Sequence, residues 1–347
     1  AEFRKYVKTP LIHACRVADV ATARHAITED ILDLIGMTRA HIADPHIVRK
    51  IQEKKEHEIR PCVGASYCLD RVSQGLDALC LHNVATGREA TMPHVIEPTM
   101  GVLKKIVVVG GGPAGLEAAR VSAARGHQVT LFEAGAKLGG QVRIASLAGW
   151  RRDLIGIIDW YGERLEALGV DIRWNTMAGL AEIQELKPDI VIVATGGIPD
   201  TDLVPGGEMA QSVWDALTGP PLIGDVLVYD DNGQPQAPSC ADHLAGQPAV
   251  KVEYVTPDRA AAFDMASQNF SIFLEHFYRK GVTITPDSRI KRIEREGNKL
   301  KVTFSNEYGG PDITRLVDHV IVEHGTLPVD EVYEECRCPG SAPMAQN

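Results

Sequence analysis

The sequence predicts an α/β protein with two similarly built lobes, preceded by strand–helix units that belong to a larger barrel or sheet. Three observations lead to this prediction: an opening strand–helix–strand–helix pattern, a glycine triplet directly after an apolar strand, and an eleven-residue segment that recurs later in the chain. Strands that alternate with helices are typical of parallel sheets covered by helices. The 347 residues suffice for two or three domains.

Composition excludes several classes of protein. The net charge of −10 disfavours nucleic acid and anionic lipid as partners. No apolar run approaches the roughly 18 residues that a membrane span needs, and no leader is expected. The seven cysteines are an odd number in a chain with ordinary globular composition. They indicate free thiols or metal ligands, and hence a reducing, cytoplasmic location.

Residues 1–55 carry the opening pattern. We predict strands at Thr9–Cys15 and Leu32–Met37, a helix at Asp19–Thr28, and a second helix that begins near Asp44. Two parallel strands cannot bury both faces by themselves. We therefore expect these residues to be the last units of a larger barrel or sheet whose earlier part lies outside this sequence.

The glycine triplet follows a buried strand in the segment KKIVVVGGGPAG, residues 104–115. Gly110, Gly112 and Gly115 have the GxGxxG spacing, and we predict a helix at Pro113–Arg125 and a strand at Gln128–Phe132. In a nucleotide-binding turn, the first glycine permits the bend, the second admits a pyrophosphate and the third lets helix and strand pack closely. The helix N-terminus then faces the phosphates.

The next strand ends at Glu133, eighteen residues after the third glycine. A carboxylate there accepts hydrogen bonds from a ribose hydroxyl, which favours an adenosine without a 2′-phosphate. The alternative is a glycine-rich turn without a ligand, as occurs in many α/β proteins. Because strand, helix and acid are all in register, we favour the nucleotide site.

The repeated segment predicts a second lobe. Residues 189–199 read DIVIVATGGIP, residues 318–328 read DHVIVEHGTLP, and six positions are identical. The opening strand of the second lobe is predicted at Asp225–Tyr229, and Asp230 and Asp231 follow where the first lobe has glycines. Carboxylates at that position repel a pyrophosphate. We therefore predict that the second lobe binds no NAD(P)H.

Three cysteines precede the first lobe. Cys62, Cys68 and Cys80 lie within nineteen residues, so their thiolates can converge on one metal or cluster, although structural free cysteines are common. No function is assigned to the remaining cysteines or to the tail Glu334–Asn347, which we expect to be irregular. The remaining cysteines are Cys15, Cys240, Cys336 and Cys338.

Together these segments resemble the C-terminal part of a flavoprotein family that includes trimethylamine and dimethylamine dehydrogenases, histamine dehydrogenase and 2,4-dienoyl-CoA reductase. The segments RPCVGASYCLDR and VIVEHGTLPVDEVY are most similar to demethylases of dimethylglycine and N-methylproline. The resemblance implies two Rossmann-like nucleotide-binding lobes preceded by the last βα units of a TIM barrel. It also implies FMN in the intact protein, an iron–sulfur cluster, and FAD or ADP.

The resemblance assigns residues to each cofactor. Arg16, Gly36 and Arg39 match the FMN-phosphate loops, although Cys15 and Thr38 replace frequent glycines. For the adenine nucleotide, the matching residues form two groups. The first is Gly110, Gly112, Pro113, Ala114, Gly115 and Glu133; the second is Gly140, Gln141, Thr195 and Gly196.

The cluster segment departs from the family pattern at one position. Cys62, Cys68 and Cys80 match three of the family's four cysteine positions, but Ala65 occupies the second position. An alanine methyl cannot bind iron, so three outcomes stay open. The cluster is 3Fe-4S, or it is 4Fe-4S with a non-cysteine ligand, or it is absent. The candidate ligands are His82, Ser66 and Asp70.

The resemblance implies a fragment of a flavin-dependent amine dehydrogenase or N-methyl amino acid demethylase, with electron-transferring flavoprotein as a possible acceptor and a homo-oligomer as a possible assembly. The alternatives are an NADPH-dependent dienoyl-CoA reductase and a non-redox ADP-binding module. A disulfide reductase is disfavoured, because no cysteine pair with the required spacing follows Gly110. No catalytic residue is assigned. The predicted domains are a barrel end (1–55), a cluster segment (56–100), a first lobe (101–222), a second lobe (223–315), and a return strand with the tail (316–347).

Overall fold

The structure, a computed structural model, describes residues 2–14, 16–202, 204–265 and 267–337. The predicted strand residue Cys15, the thiol Cys338 and the tail beyond residue 337 lie outside the described residues. Two compact units divide the chain. The first takes Ala1–Leu138, Asp153–Thr176 and Leu186–Ile192; the second takes Gly139–Arg152, Met177–Glu185 and Val193–Asn347. None of the helices in the described residues has the length and apolar character needed to span a bilayer.

The first unit opens with the predicted strand–helix–strand–helix order, although the strands are shorter than expected. The elements are β1 (Ile12–His13), α1 (Val20–Thr28), β2 (Leu34–Ile35), α2 (Thr38–Ala43) and α3 (Ile47–Gln52), with β1 and β2 parallel. The Asp19 side chain caps α1 by accepting from the Thr22 amide at 2.7 Å. The helix predicted near Asp44 is α3, which begins at Ile47, whereas the preceding helix α2 was not predicted. The two helices are separated at Asp44, whose backbone is extended because Pro45 follows.

The cysteine segment has little regular structure, and its one α-helix in the described residues is α4 (Tyr67–Ser73). The elements that follow alternate strands and helices as the first lobe requires. They are β3 (Lys105–Val109), α5 (Pro113–Ala124), β4 (Gln128–Phe132), α6 (Gly140–Ala145), α7 (Ile155–Ala167), β5 (Asp171–Arg173), α8 (Leu180–Glu185) and β6 (Ile190–Val193). The sheet order is β5-β4-β3-β6, and the pairs β3–β4 and β4–β5 are parallel.

The rest of the second unit contains a parallel sheet, an antiparallel sheet and a short ribbon. Its elements are β7 (Gly197–Pro199), β8 (Gln211–Ser212), α9 (Val213–Thr218), β9 (Gly224–Asp230), α10 (Gln236–Leu244), β10 (Val250–Val255), α11 (Ser267–Lys280), β11 (Thr283–Thr285), β12 (Ser288–Glu296), β13 (Lys299–Asn306), β14 (Ile313–Val317), β15 (His319–Glu323), β16 (Thr326–Pro328) and α12 (Glu331–Arg337). Short 3₁₀ helices occur at Phe3–Lys5, Glu56–Glu58, Gly149–Leu154 and Gly207–Met209.

The two parallel sheets have the same strand order, which confirms the predicted fold class. The second sheet runs β11-β10-β9-β15-β8, so its first four strands repeat the order β5-β4-β3-β6. The repeated segments form β6 with β7 and β15 with β16, and β7 pairs antiparallel with β16. The strand β8 lies within the range predicted for the first lobe but pairs with β15 of the second sheet.

The second sheet is buried on both faces, as parallel sheets are. Along β9, Val226 and Val228 pack with Phe273 and Phe277 of α11. Leu227 and Tyr229, which alternate with these valines along the strand, face a second apolar cluster that includes Val302 and Phe304 of β13. This sheet therefore holds the carboxyl ends of β9 and β15 in fixed positions.

The prediction of an irregular segment from Glu334 was wrong for its first residues, because α12 continues to Arg337. The signal was present in the sequence. Glu331 and Glu334 lie in the first turn and Arg337 in the last, which is the charge order that the helix dipole favours. Glu334 and Arg337 also form an ion pair at 2.9 Å.

Candidate functional site

The glycine turn has the geometry that its sequence predicts. Gly110 has a φ of +108°, and its amide donates to the Phe132 carbonyl at 2.9 Å. A β-carbon on Gly115 would lie 1.9 Å from the Gly110 carbonyl oxygen, so only glycine allows helix α5 to approach the turn. A β-carbon on Gly112 would meet no atom within 4 Å. The turn is therefore in close contact with α5 at Gly115 and has open space beside Gly112.

The N-terminus of α5 is suited to bind an anion. Gly112 is the N-cap residue and has no side chain to cap the first amides of the helix, while Pro113 occupies the first helical turn. Pro113 and Ala114 are exposed. The helix has twelve residues, so its dipole places positive potential at this open end.

Glu133 lies beside the turn and is bonded to its backbone. Its Oε2 accepts from the Gly111 amide at 3.0 Å, and its Oε1 accepts from the Gly135 amide at 2.7 Å. Each carboxylate oxygen can accept a further hydrogen bond. The Glu133 side chain is therefore held at the end of β4, where a ribose hydroxyl is expected.

The remaining residues predicted to contact the nucleotide belong to the second unit. Gly140 and Gln141 begin α6 and are exposed, and Gly140 has a φ of +48°. Thr195 and Gly196 follow β6 in a turn fastened to the chain after β16. There the Thr195 hydroxyl donates to the Val329 carbonyl, and the Val329 amide donates to the Gly196 carbonyl at 3.0 Å.

The two arginines predicted at the FMN phosphate line one small cavity in the first unit. Arg16 and Arg39 share this cavity of about 40 Å³ with Thr38, Cys62, Gly64 and Asp153. Arg16 donates to the Asp153 carboxylate at 3.3 Å. Gly36 packs against β1, since a β-carbon on it would lie 2.7 Å from that of Ala14. The structure therefore brings the predicted cationic residues together.

The three predicted cluster ligands line a second cavity of about 30 Å³, together with Ala65 and His82. The Cys80 sulfur accepts from the His82 amide at 3.4 Å, and the three thiols are half-buried. Burial raises the pKa of Cys68 and Cys80, and the other thiols of the set raise it further. Cys62, Gly64 and Arg39 border this cavity as well as the one that contains Arg16.

Among the three candidate fourth ligands, His82 has a buried side-chain atom, Nε2, that lacks a hydrogen-bond partner in the described part of the chain. Its Nδ1 lies 3.1 Å from the Pro61 carbonyl, which leaves Nε2 without a hydrogen-bond partner there. Burial lowers the pKa of His82 to about 3, so the ring is neutral. Within the described ranges, no set of three or more His, Cys, Asp or Glu side chains is placed to hold a single metal ion.

The turn after β9 in the second lobe differs from the glycine turn, as its sequence predicts. The Asp230 carboxylate is fully buried and accepts from the amides of Asn232 and Gly233, both at 3.0 Å, and from the Tyr254 hydroxyl. Burial raises the pKa of Asp230 to about 6. The Asn232 and Gly233 amides of this turn are thus already bonded to a carboxylate.

Two further polar residues at this position were missed from the sequence. Glu323, at the end of β15, accepts from the Asn232 side chain and the Gly325 amide, both at 3.1 Å, and burial raises its pKa to about 7. The next residue, His324, lies with its Nδ1 2.8 Å from the Asp231 carboxylate. The sequence did contain a signal for these two residues. The repeat at 318–328 has Glu-His at the positions where the repeat at 189–199 has Ala-Thr.

Comparisons with known proteins place the chain among oxidoreductases. The family described as "Pyridine nucleotide-disulphide oxidoreductase" matches residues 88–215, a range that contains no cysteine. A probable N-methylproline demethylase of Rhizobium meliloti (strain 1021) is 48% identical over 338 residues, covering 97% of this chain and 50% of that protein. An N,N-dimethylglycine/sarcosine dehydrogenase of Chromohalobacter salexigens is 43% identical over 343 residues, covering 96% of this chain and 49% of that protein.

A solved structure also resembles nearly the whole chain. The 6-hydroxypseudooxynicotine amine oxidase of Pseudomonas geniculata N1 superposes with a TM-score of 0.90 at 27% identity, covering 97% of this chain and 52% of that one. The chain thus spans about half the length of the curated relatives that it matches. Its homologues are flavin-dependent oxidoreductases that include demethylases, dehydrogenases and alkene reductases. Nearly the whole chain matches about half of each of the two curated relatives described above.

Proposed function

We propose that this chain is the adenine-nucleotide-binding and electron-transfer part of a flavin-dependent oxidoreductase that dehydrogenates or demethylates N-methylated amino acids. The observation that carries the proposal is the open N-terminus of α5, with uncapped amides below Gly112 and the Glu133 carboxylate beside it. A dinucleotide pyrophosphate and an adenosine ribose match these groups. Both FAD and ADP fit this description.

The first unit also has residues that fit FMN and a cluster. Arg16 and Arg39 would hold the FMN phosphate, because two guanidinium groups on one small cavity match a phosphate. Cys62, Cys68 and Cys80 would bind iron, with His82 as the candidate fourth ligand of a 4Fe-4S cluster. Backbone amides that donate to the sulfurs stabilise thiolates in such sites. When bound, these groups would carry electrons from the substrate toward an acceptor.

The cluster proposal predicts that iron depends on the three thiols. Replacing Cys68 or Cys80 by serine should remove most of the iron and acid-labile sulfide from the intact protein, because serine is a poor iron ligand. Metal analysis and the visible spectrum give the measurement. The matched control is Cys336→Ser, since Cys336 is also half-buried but lies on α12. Equal iron in all three variants would show that these cysteines are structural.

We further propose that the second lobe binds no pyridine nucleotide. Three carboxylates at the turn support this. The Asp230 carboxylate accepts hydrogen bonds from the amides of the turn. Carboxylate oxygens of Asp258 and Asp264 lie 3.4 Å and 3.3 Å from the position that a β-carbon on Gly233 would take. A pyrophosphate brought to this turn would meet negative charge, and the Asn232 and Gly233 amides there already donate to Asp230. The proposed acceptor is therefore a protein, of the electron-transferring flavoprotein class.

Anaerobic titration of the intact protein tests the direction of electron flow. Dimethylglycine or N-methylproline should bleach the flavin absorbance, whereas NADH and NADPH should leave it unchanged over minutes. Bleaching by NADPH, with none by the amines, would favour the dienoyl-CoA reductase alternative. A colourless protein that releases ADP on denaturation would favour the non-redox module.

Assembly and location are also proposed. A homo-oligomer is proposed from the family resemblance, and light scattering of the intact protein would test it. A cytoplasmic location is supported by the free thiols among the described residues, which are Cys62, Cys68, Cys80, Cys240 and Cys336.

A further inference from the structure

A cavity of about 440 Å³ lies in the first unit, apart from the glycine turn and the three thiols. Its walls come from the α2–α3 region, from residues 83–96 and from the outer face of α5. The size is that of a small-molecule site. The ionisable Lys, Arg, Asp and Glu residues on its walls are Asp44, Lys50, Arg60, Glu117 and Arg120.

Arg60 is the cation that lacks a hydrogen-bonded partner. Its side chain is 9% exposed and stacks on the Trp160 ring, with the guanidinium carbon 4.4 Å from the ring centroid. Its nearest carboxylate, that of Glu117, lies 3.9 Å away, beyond hydrogen-bond distance. Across the described ranges, the Arg60 guanidinium donates no hydrogen bond. A buried guanidinium with unused donors is costly, and an acceptor inside the cavity would satisfy it.

The other charged groups already have partners. Arg120 donates two hydrogen bonds to Glu117, at 2.7 Å and 2.8 Å. The Lys50 ammonium donates to the Asp44 carboxylate and to the Glu58 carbonyl. Among the Lys, Arg, Asp and Glu side chains, three cations and two carboxylates leave one positive charge, and the group without a hydrogen-bonded partner is Arg60. The walls also include His46, whose pKa is lowered by burial, and His94. This balance matches a monoanion and not a doubly charged phosphate.

The rest of the cavity wall is largely apolar, with Val84, Ala85, Met92, Ile96, Val121 and Ile192 among its residues. Apolar surface beside a single guanidinium favours a ligand with one carboxylate and a hydrocarbon body. We propose that this cavity binds a small organic monocarboxylate, whose carboxylate group accepts a forked pair of hydrogen bonds from Arg60. This proposal does not rest on the proposed redox function.

Calorimetric titration of the intact protein with 3-phenylpropionate tests the proposal. Wild type should bind it, and the neutral isostere 3-phenylpropionamide should bind at least tenfold more weakly, because charge-assisted hydrogen bonds are lost. Arg60→Met should lower the affinity for 3-phenylpropionate at least tenfold. The matched control is Arg125→Met, since Arg125 is an exposed arginine just beyond α5 and lies outside the cavity lining; its affinity should be unchanged.

A second variant keeps the test decisive if Arg60→Met fails to fold. Val121→Trp fills the cavity from α5 without changing Arg60, and it should also reduce affinity at least tenfold. The proposal is overturned if wild type gives no binding, or if 3-phenylpropionate affinity survives in Val121→Trp and in any folded Arg60→Met. Displacement of 3-phenylpropionate by inorganic phosphate at a similar concentration would also overturn it, because the site would then recognise phosphate.

Discussion

Replacing Gly112 by valine is expected to abolish adenine-nucleotide binding while leaving the stability of the nucleotide-free protein unchanged. Gly112 has extended backbone dihedrals that valine adopts readily, and a β-carbon there meets no atom within 4 Å. The same open space is where the pyrophosphate must approach the backbone. We expect ADP affinity to fall at least 100-fold and the melting temperature of the nucleotide-free protein to shift by no more than about 2 °C.

Gly115→Ala is the contrasting variant. Its β-carbon would lie 1.9 Å from the Gly110 carbonyl oxygen, so the turn must open and both stability and binding should fall. Gly162→Ala, in α7, is the control, because a β-carbon there also meets nothing and lies away from the turn. Mass analysis of the nucleotide released on denaturation and calorimetry with ADP give the measurements. Retained FAD or ADP in Gly112→Val would refute the site.

Glu323→Gln is expected to make folding stability less dependent on pH and to stabilise the protein above pH 7. Burial raises the pKa of Glu323 from 4.5 to about 7, so the folded state keeps a proton that the unfolded state releases between these values. Stability therefore falls as pH rises through this window, and the loss is complete above about pH 7. The stability lost is on the order of 3 kcal/mol.

Glutamine keeps the oxygen that accepts from Asn232 and Gly325 but carries no charge. Denaturant unfolding at pH 5 and pH 8 measures the difference for wild type, Glu323→Gln and the exposed control Glu185→Gln. A smaller slope should persist in Glu323→Gln, because Asp230 has a pKa of about 6 and acts in the same direction. Identical slopes in wild type and Glu323→Gln would show that Glu323 is not the titrating group.

Local signals in the sequence predicted much of the fold and the nucleotide site. The strand Gln128–Phe132 was predicted with the bounds that it has, because a glycine and an acid delimit an apolar run. The repeated eleven-residue segment predicted two lobes of one topology, and the sheets confirm it. Glycine spacing predicted the turn because the requirements are local: Gly110 has a positive φ, and a β-carbon on Gly115 would collide with the Gly110 carbonyl.

Contacts between distant residues could not be predicted in the same way. Arg60 lies against Trp160, a hundred residues further along the chain, and nothing local indicates that this arginine is buried without a hydrogen-bonded partner. The ribbon of β7 with β16 likewise joins segments more than 120 residues apart. The cavity of Arg16 and Arg39 depends on the segments that follow β1 and β2, which the pairing of these strands brings together. The sequence predicted β1 and β2 only as parallel strands.

The wall shared by the two small cavities of the first unit affects how variants can be interpreted. Cys62, Gly64 and Arg39 each face both spaces, so a change in any of them alters two binding environments at once. Free-energy effects of paired substitutions across this wall should not add. A shift in flavin content after a Cys62 substitution is therefore not a measure of the phosphate site alone, and only double-mutant cycles can separate the two contributions.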